Sequence, residues 1–128
     1  MYRSLRTLAE SGLLTPFSET IRNACVESLL LHIRVLSDIL LPPSTPRDDD
    51  VTLRDLADSF VPARLEELQG AYKAEPLSVK ATIDKRLAHA TKRRSPMHDH
   101  SRMLNAYCPI LEHVIAELYE CRRRRGIV

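Results

Sequence analysis

Hydrophobic residues recur at steps of three and four from Phe17 onwards, and this spacing predicts a long helix over residues 16–41. Threonine followed by proline, as in Thr15-Pro16, is a typical helix start, and Pro42-Pro43 ends the pattern. The apolar positions cover most of the circumference of the helix, so we expect it to be the central helix, packed on several sides. These positions are Ile21, Cys25, Val26, Leu29, Leu30, Ile33, Leu36 and Ile39.

Shorter elements are predicted on both sides of this helix. An amphipathic helix precedes it and ends near Gly12. A polar loop rich in proline and aspartate follows it over residues 42–50. Thr52 and Asp55 then have the spacing of a capping box, which predicts the start of a short helix.

Three further helices are expected in the second half of the chain. Pro62 opens one that runs towards Gly70, and a longer one covers residues 77–93. The last extends over about residues 100–124, and Pro109 should kink it because proline removes a backbone donor. The inward positions of the two long helices are Val79, Ile83, Leu87, Ala90, Leu104, Tyr107, Leu111, Val114, Ile115 and Leu118.

The fold class follows from these segments and from what separates them. The chain has three glycines and eight prolines, and β-branched residues never alternate over the length of a strand. We therefore predict an all-α fold, a bundle of about four to six helices with an up-and-down core and a loop and short-helix excursion at 42–75. A chain of 128 residues is sized for a single domain over 1–128, with a basic tail at 122–128.

The composition is typical of a globular protein of the cytoplasm. Hydrophobic residues make up 44% of the chain and charged residues 28%, and no apolar run approaches the roughly 18–20 residues that span a bilayer. No secretory signal is visible at the N-terminus. The three cysteines, Cys25, Cys108 and Cys121, are odd in number and far apart, which argues against a disulfide framework. We expect a cytoplasmic chain with reduced thiols and no membrane partner.

Charge is distributed unevenly along the chain. The net charge is +2, but residues 1–41 are neutral, residues 42–76 carry −4 and residues 77–128 carry +6. A basic half can attract nucleic acid, and it can equally face the acidic segment of its own fold. The run Arg122 to Arg125 has the same two interpretations, because arginines at a helix end either satisfy the helix dipole or contact nucleic acid.

Motifs of the common nucleotide and zinc sites are missing from the sequence. The chain has no glycine-rich phosphate loop, no H-E-x-x-H helix and no paired C-x-x-C. His98 and His100 form an H-x-H that could ligate a metal, but without further ligands an exposed loop is the favoured interpretation. We predict neither a metal nor a cofactor.

Two histidines are the candidates for chemistry. His32 interrupts the apolar rhythm of the central helix, so it is either bonded within the core or an acid/base group in a cleft. His89 lies one helical turn after Arg86 on a basic helix, where the cations form either a solvated face or an edge that binds phosphate. Further candidates for phosphate or nucleic-acid binding are Arg34, Lys85 and Arg93.

Two stretches of the chain resemble helices of a known group. Residues 23–36 resemble the N-A-x-x-E-x-x-L-x-H-x-R-x-L helix of small bacterial helical proteins without an assigned activity, and residues 83–91 resemble their I-N-K-x-x-x-H-L-T helix. The shape of that group is similar to the HEPN class of helical bundles. This resemblance implies a bacterial stress or defence protein that binds RNA or cleaves it without a metal. The nearest match to the arginine–histidine motif of HEPN nucleases, Arg93 to His98, contains the helix breaker Pro96.

These observations lead to two hypotheses. In the first, His32 and His89 form an acid/base pair and Arg86 or Arg34 holds phosphate, because RNA cleavage without metal needs a base, an acid and a cation. In the second, the chain is a non-catalytic interaction module that forms a homodimer, because its central helix is apolar over more surface than a small bundle covers. The distance between the two histidine rings would separate the hypotheses.

Overall fold

The regular structure of the described residues consists of helices. The computed structural model describes residues 1–11, 19–41, 45, 47–74, 78–88 and 101–126, and six helices lie in these ranges. In chain order they are α1 (Tyr2–Glu10), α2 (Glu19–Leu40), α3 (Leu53–Ala57), α4 (Leu65–Lys73), α5 (Val79–Ala88) and α6 (Ser101–Arg124). No strand occurs among the described residues, and the predicted all-α bundle is confirmed.

The central helix of the arrangement is α2. It packs against α1 and α5, while α4 packs against α5 and α6, and α3 contacts α6. An ion pair between Arg6 and Glu112 also joins α1 to α6. Apolar faces of α2, α4, α5 and α6 meet in one core, and their removal from water stabilises the bundle. The most deeply buried core residues are Leu29, Leu30, Ile33, Leu68, Tyr72, Ile83, Tyr107, Cys108, Leu111 and Val114.

Two tyrosines connect α2, α4 and α6 through this core. Ser37 Oγ of α2 donates to the Ile33 carbonyl oxygen at 2.7 Å and accepts from the Tyr107 hydroxyl at 2.7 Å. The Tyr107 ring stacks on Tyr72 of α4, with 5.9 Å between the ring centroids. The buried hydroxyls of Ser37 and Tyr107 are therefore satisfied, as buried polar groups require. Burial raises the pKa of both tyrosines well above the ordinary value of 10.0.

The ends of α2 and α3 agree with the sequence signals. α2 ends at Leu40, just before the predicted stop, whereas its predicted start at residue 16 lies outside the described residues. The Thr52 backbone N–H donates to the Asp55 carboxylate at 2.8 Å, which confirms the capping box of α3. Hydrogen bonds from the Thr52 backbone and hydroxyl hold the pKa of Asp55 below its usual range.

Both ends of α4 differ from the predicted ones. The helix begins at Leu65 rather than at Pro62, because Pro62 opens a turn in which the Leu65 backbone N–H donates to the Pro62 carbonyl oxygen at 3.2 Å. It also continues past Gly70 to Lys73, because Leu68 and Tyr72 are buried on either side of the glycine and hold the last turn against the core. Gly70 is exposed, and no atom lies within 4 Å of the position that a Cβ would occupy there.

The two C-terminal helices have the predicted inward faces over their described parts. Val79 and Ile83 of α5 are buried. Pro109 lies inside α6 and is exposed, and the kink expected there stays a prediction, as does the single-domain boundary. Of the helices in the described ranges, none combines the length and apolar composition that a membrane crossing needs. The inward residues of α6 are Leu104, Tyr107, Leu111, Val114 and Leu118, with Ile115 partly buried.

Candidate functional site

His32 lies on α2 and is partly buried. Its Nδ1 atom is 2.7 Å from the carbonyl oxygen of Ser28, one helical turn earlier. A carbonyl oxygen only accepts, so Nδ1 carries the proton and Nε2 is the nitrogen available to other partners. The ring is therefore bonded to its own helix, which fits a structural role.

Arg34 forms an ion pair that joins two helices. Its Nη1 atom lies 3.1 Å from Asp84 Oδ1 on α5, and its Nε atom lies 3.7 Å from Asp38 Oδ2 on α2. Lys80 Nζ lies 2.5 Å from the other Asp84 oxygen. The Asp84 carboxylate is thus placed between two cations, and the charge of Arg34 is already compensated within the chain.

The Arg86 side chain extends from α5 to α2. It contacts the side of α2 that lies opposite His32. Its Nη2 atom donates to Asn23 Oδ1 at 3.3 Å, and Asn23 is only 2% exposed. Asn23 and His32 are nine residues apart, which is about two and a half turns of helix. Their side chains therefore leave α2 on opposite sides. Arg34 and Arg86 both lie where α5 packs against α2. His32 lies on the other side of α2, away from Arg86.

The remaining candidates are divided between the surface and the parts of the chain that are not described. Lys85 is exposed on α5. Whether His32 and His89 share a site stays a prediction, because His89 lies outside the described residues. Within the described ranges, no group of three His, Cys, Asp or Glu side chains could hold a metal ion. Arg93, His98 and His100 also lie outside the described residues.

Two arginines of the predicted basic tail cap the end of α3. Arg122 Nη1 donates to the Leu56 carbonyl oxygen at 3.0 Å, and Arg125 Nη1 donates to the Ala57 carbonyl oxygen at 3.2 Å. The last carbonyls of a helix have no partner within that helix, and cations are favoured there. These contacts hold the end of α6 against α3.

The two arginines between them pair within α6. Arg123 Nη2 lies 2.9 Å and Arg124 Nε 3.2 Å from Glu120 Oε1. Hydrogen bonds from these two guanidinium groups lower the pKa of Glu120 to about 2. Every arginine of the run therefore has a partner in the fold, which favours the structural interpretation over nucleic-acid contact.

One face of α2 is apolar and exposed. Ile21, Leu31 and Val35 keep 47%, 47% and 49% of their surface exposed. Ala24 between them is exposed and Ser28 is partly buried. The five residues follow one another at steps of three and four, so they form a line on one side of the helix. We call them the α2 stripe.

Polar and charged residues lie beside the α2 stripe without interrupting it. Glu27 and Arg34 lie on one side, seven residues or about two turns apart. Cys25 and His32 lie on the other side with the same spacing. In each flanking pair the two residues are seven apart, so each pair follows one edge of the stripe.

A cleft of about 630 Å³ lies at the C-terminal end of the stripe, lined partly by Val35, Asp38 and Ile39 of α2. Asp49 and Asp50 of the loop before α3 also line it. The Tyr72 hydroxyl donates to Asp38 Oδ1 at 3.2 Å and fixes that carboxylate at the edge of the cleft. Lys73 and Lys80 also line the cleft, which therefore carries charges of both signs.

The sequence contained the signal for the stripe, but periodicity did not say which apolar face of α2 would be covered. Ile21 belongs to the same apolar rhythm as the buried Leu29 and differs from it only in what packs nearby. Comparisons with models of protein families, with curated proteins and with solved structures found no match to this chain.

Proposed function

We propose that the protein is a non-catalytic helical interaction module that forms a homodimer through the α2 stripe. The observation that supports this function is the exposure of Ile21, Leu31 and Val35 on one face of the central helix. Burial of apolar surface stabilises a contact by about 25 cal/mol for each Å² that is removed from water. Each copy has the same stripe, so one two-fold contact covers two exposed faces at once.

The length of the stripe sets the strength that we expect. From Ile21 to Val35 it extends about 21 Å along the helix. That is short for an interface of standard size, which buries about 800 Å² on each partner. We therefore expect a dissociation constant on the order of micromolar, and a dimer that dilution separates.

The alternative of a metal-independent RNase has less support among the described residues. Arg34 is paired with Asp84, Arg86 with Asn23, and His32 is bonded to its own helix. A phosphate at Arg34 would be repelled by the charges of Asp84 and Asp38, and a phosphate at Arg86 would compete with Asn23. The catalytic trio of His32, His89 and Arg86 is therefore the second candidate function.

Sedimentation equilibrium over a range of protein concentrations tests the homodimer. The wild-type chain of 14.6 kDa should approach twice its mass at high concentration. Val35→Asp places a charge in the stripe and should leave a monomer with an unchanged far-ultraviolet circular dichroism spectrum. The matched control is Val61→Asp, the same change at a valine that is 68% exposed before α4, which should dimerise like the wild type.

A wild-type chain that stays monomeric at hundreds of micromolar would exclude the proposed function. Equal loss of dimer in Val35→Asp and Val61→Asp would also exclude it, because the contact would then not depend on the α2 stripe. Leu31→Lys provides a second disruption at the centre of the stripe and should give the same monomer as Val35→Asp.

A further inference from the structure

We infer that the two copies pack with antiparallel α2 helices, so that Leu31 of each faces Ser28 of the other and Val35 faces Ala24. This inference rests on the proposed homodimer and adds its orientation and register. It is carried by two properties of the described residues: the order of side-chain sizes along the stripe and the order of charges beside it.

Side-chain size favours the antiparallel orientation. After Ile21, the stripe has small residues in its N-terminal part, Ala24 and Ser28, and large residues in its C-terminal part, Leu31 and Val35. An antiparallel pair places each large side chain opposite a small one, which fills space at the density that interfaces need. A parallel pair sets Leu31 against Leu31 and Ala24 against Ala24, which crowds one end and leaves a gap at the other.

Charge beside the stripe favours the same orientation. With Leu31 opposite Ser28, Glu27 of one copy comes close to Arg34 of the other, and by symmetry the pair occurs twice. The Arg34 side chain is 39% exposed. Its guanidinium has five donors and can keep Asp84 and Asp38 while it contacts Glu27 of the other copy as a third carboxylate. A parallel pair would instead place Glu27 of one copy beside His32 of the other and Arg34 beside Ile39, so it would lack both of these opposite-charge contacts.

Cysteine cross-linking in the full chain tests the orientation. The background carries Cys25→Ser and Cys121→Ser, which removes the two partly exposed thiols and keeps the buried Cys108. One sample adds Ala24→Cys, a second adds Val35→Cys, and a third mixes the two proteins, one of them extended by a tag that changes its size. Oxidation is followed on a non-reducing gel.

The antiparallel register predicts cross-linked heterodimers in the mixture and little cross-linking in either protein alone. Ala24 faces Val35 in this register, whereas two copies of Ala24 are separated by about 11 residues of helix, roughly 16 Å. Disulfides form only when the two Cα atoms are within about 7 Å. Glu27→Lys should also weaken the dimer by about tenfold, since two opposite-charge contacts become repulsive.

The outcomes separate this inference from the proposed function. Strong cross-linking of each protein alone, together with a dimeric mass, would show a parallel pair and overturn the inference while the homodimer stands. A dimeric mass without a heterodimer cross-link in the mixture would overturn the register. A monomeric mass for the background protein at all concentrations would overturn both.

Discussion

Arg34 Nη1 of α2 lies 3.1 Å from Asp84 Oδ1 of α5, and the two residues are fifty positions apart in the sequence. This ion pair joins the facing sides of α2 and α5. Lys80 approaches the second oxygen of the same carboxylate. Asp84 therefore contacts two cations, Arg34 and Lys80. The pair explains why a basic residue lies on the polar edge of the central helix.

A double-mutant cycle measures what this pair contributes to stability. Arg34→Ala and Asp84→Ala should show a coupling free energy of about 0.5–1 kcal/mol, since both side chains are about one-third exposed and solvent weakens the attraction. The coupling should fall in 1 M salt because ions screen exposed charges. Urea unfolding at constant protein concentration gives the values. The same cycle with exposed Arg54 in place of Arg34 should show no coupling, and a zero value for both would contradict the assigned contact.

Gly70→Ala should stabilise the protein by about 0.5–1 kcal/mol. Gly70 lies inside α4, is exposed, and has open space where a Cβ would be added. Alanine loses less backbone conformational entropy than glycine when it becomes part of a helix. The urea midpoint measures the gain, and Gly126→Ala is the matched control. Gly126 has a φ of +69°, so alanine is strained there and should give no gain. A lower midpoint for Gly70→Ala would mean that α4 does not continue through this position.

Removal of the Arg122 side chain should loosen α3 in particular. A five-residue helix has little stability of its own, and α3 depends on Arg122 and Arg125 for its terminal carbonyl contacts. Arg122→Ala should therefore speed amide hydrogen exchange in residues 53–58 before it affects α2 or α6. Arg124→Ala is the control, because the Arg124 side chain is 76% exposed and pairs with Glu120 rather than with α3. Equal acceleration in both variants would contradict the capping role.

RNA cleavage tests the rival hypothesis directly. The purified wild-type chain should leave single-stranded and hairpin RNA intact in the presence of a chelator, and His32→Ala and His89→Ala should behave in the same way. This result is expected because His32 and Arg86 lie on opposite sides of α2 and Arg86 is bonded to Asn23. Cleavage by the wild type that disappears in either histidine variant would support the nuclease hypothesis over the non-catalytic interaction module.

Local signals in the sequence were sufficient for most of the helices. The capping box at Thr52 and Asp55 forms as its spacing predicts, because its partners are three residues apart. The ends of α4 were predicted less well. Gly70 predicts the end of that helix, but the burial of Leu68 and Tyr72 outweighs the low helix propensity of one glycine.

Candidate sites were harder to predict because they depend on contacts between distant segments. The periodicity of α2 placed Arg34 on a polar edge, but it could not show that Asp84 of another helix would meet it. Similarly, Arg122 and Arg125 find their carbonyls 66 and 68 residues away. The exposed face of α2 could not be predicted either. Steps of three and four residues occur both on a face that α1 or α5 covers and on a face that stays exposed.

The stacked tyrosines of the core give the protein a built-in optical signal of its folding. The chain has no tryptophan and four tyrosines, and three of these, Tyr2, Tyr72 and Tyr107, have a pKa that burial raises. An unfolded chain ionises these phenols near pH 10, so stability should fall as the pH rises above that value. The ultraviolet absorbance of tyrosinate from these three residues should then appear together with the loss of helix. An alkaline titration thus reports global unfolding of the native sequence without any label.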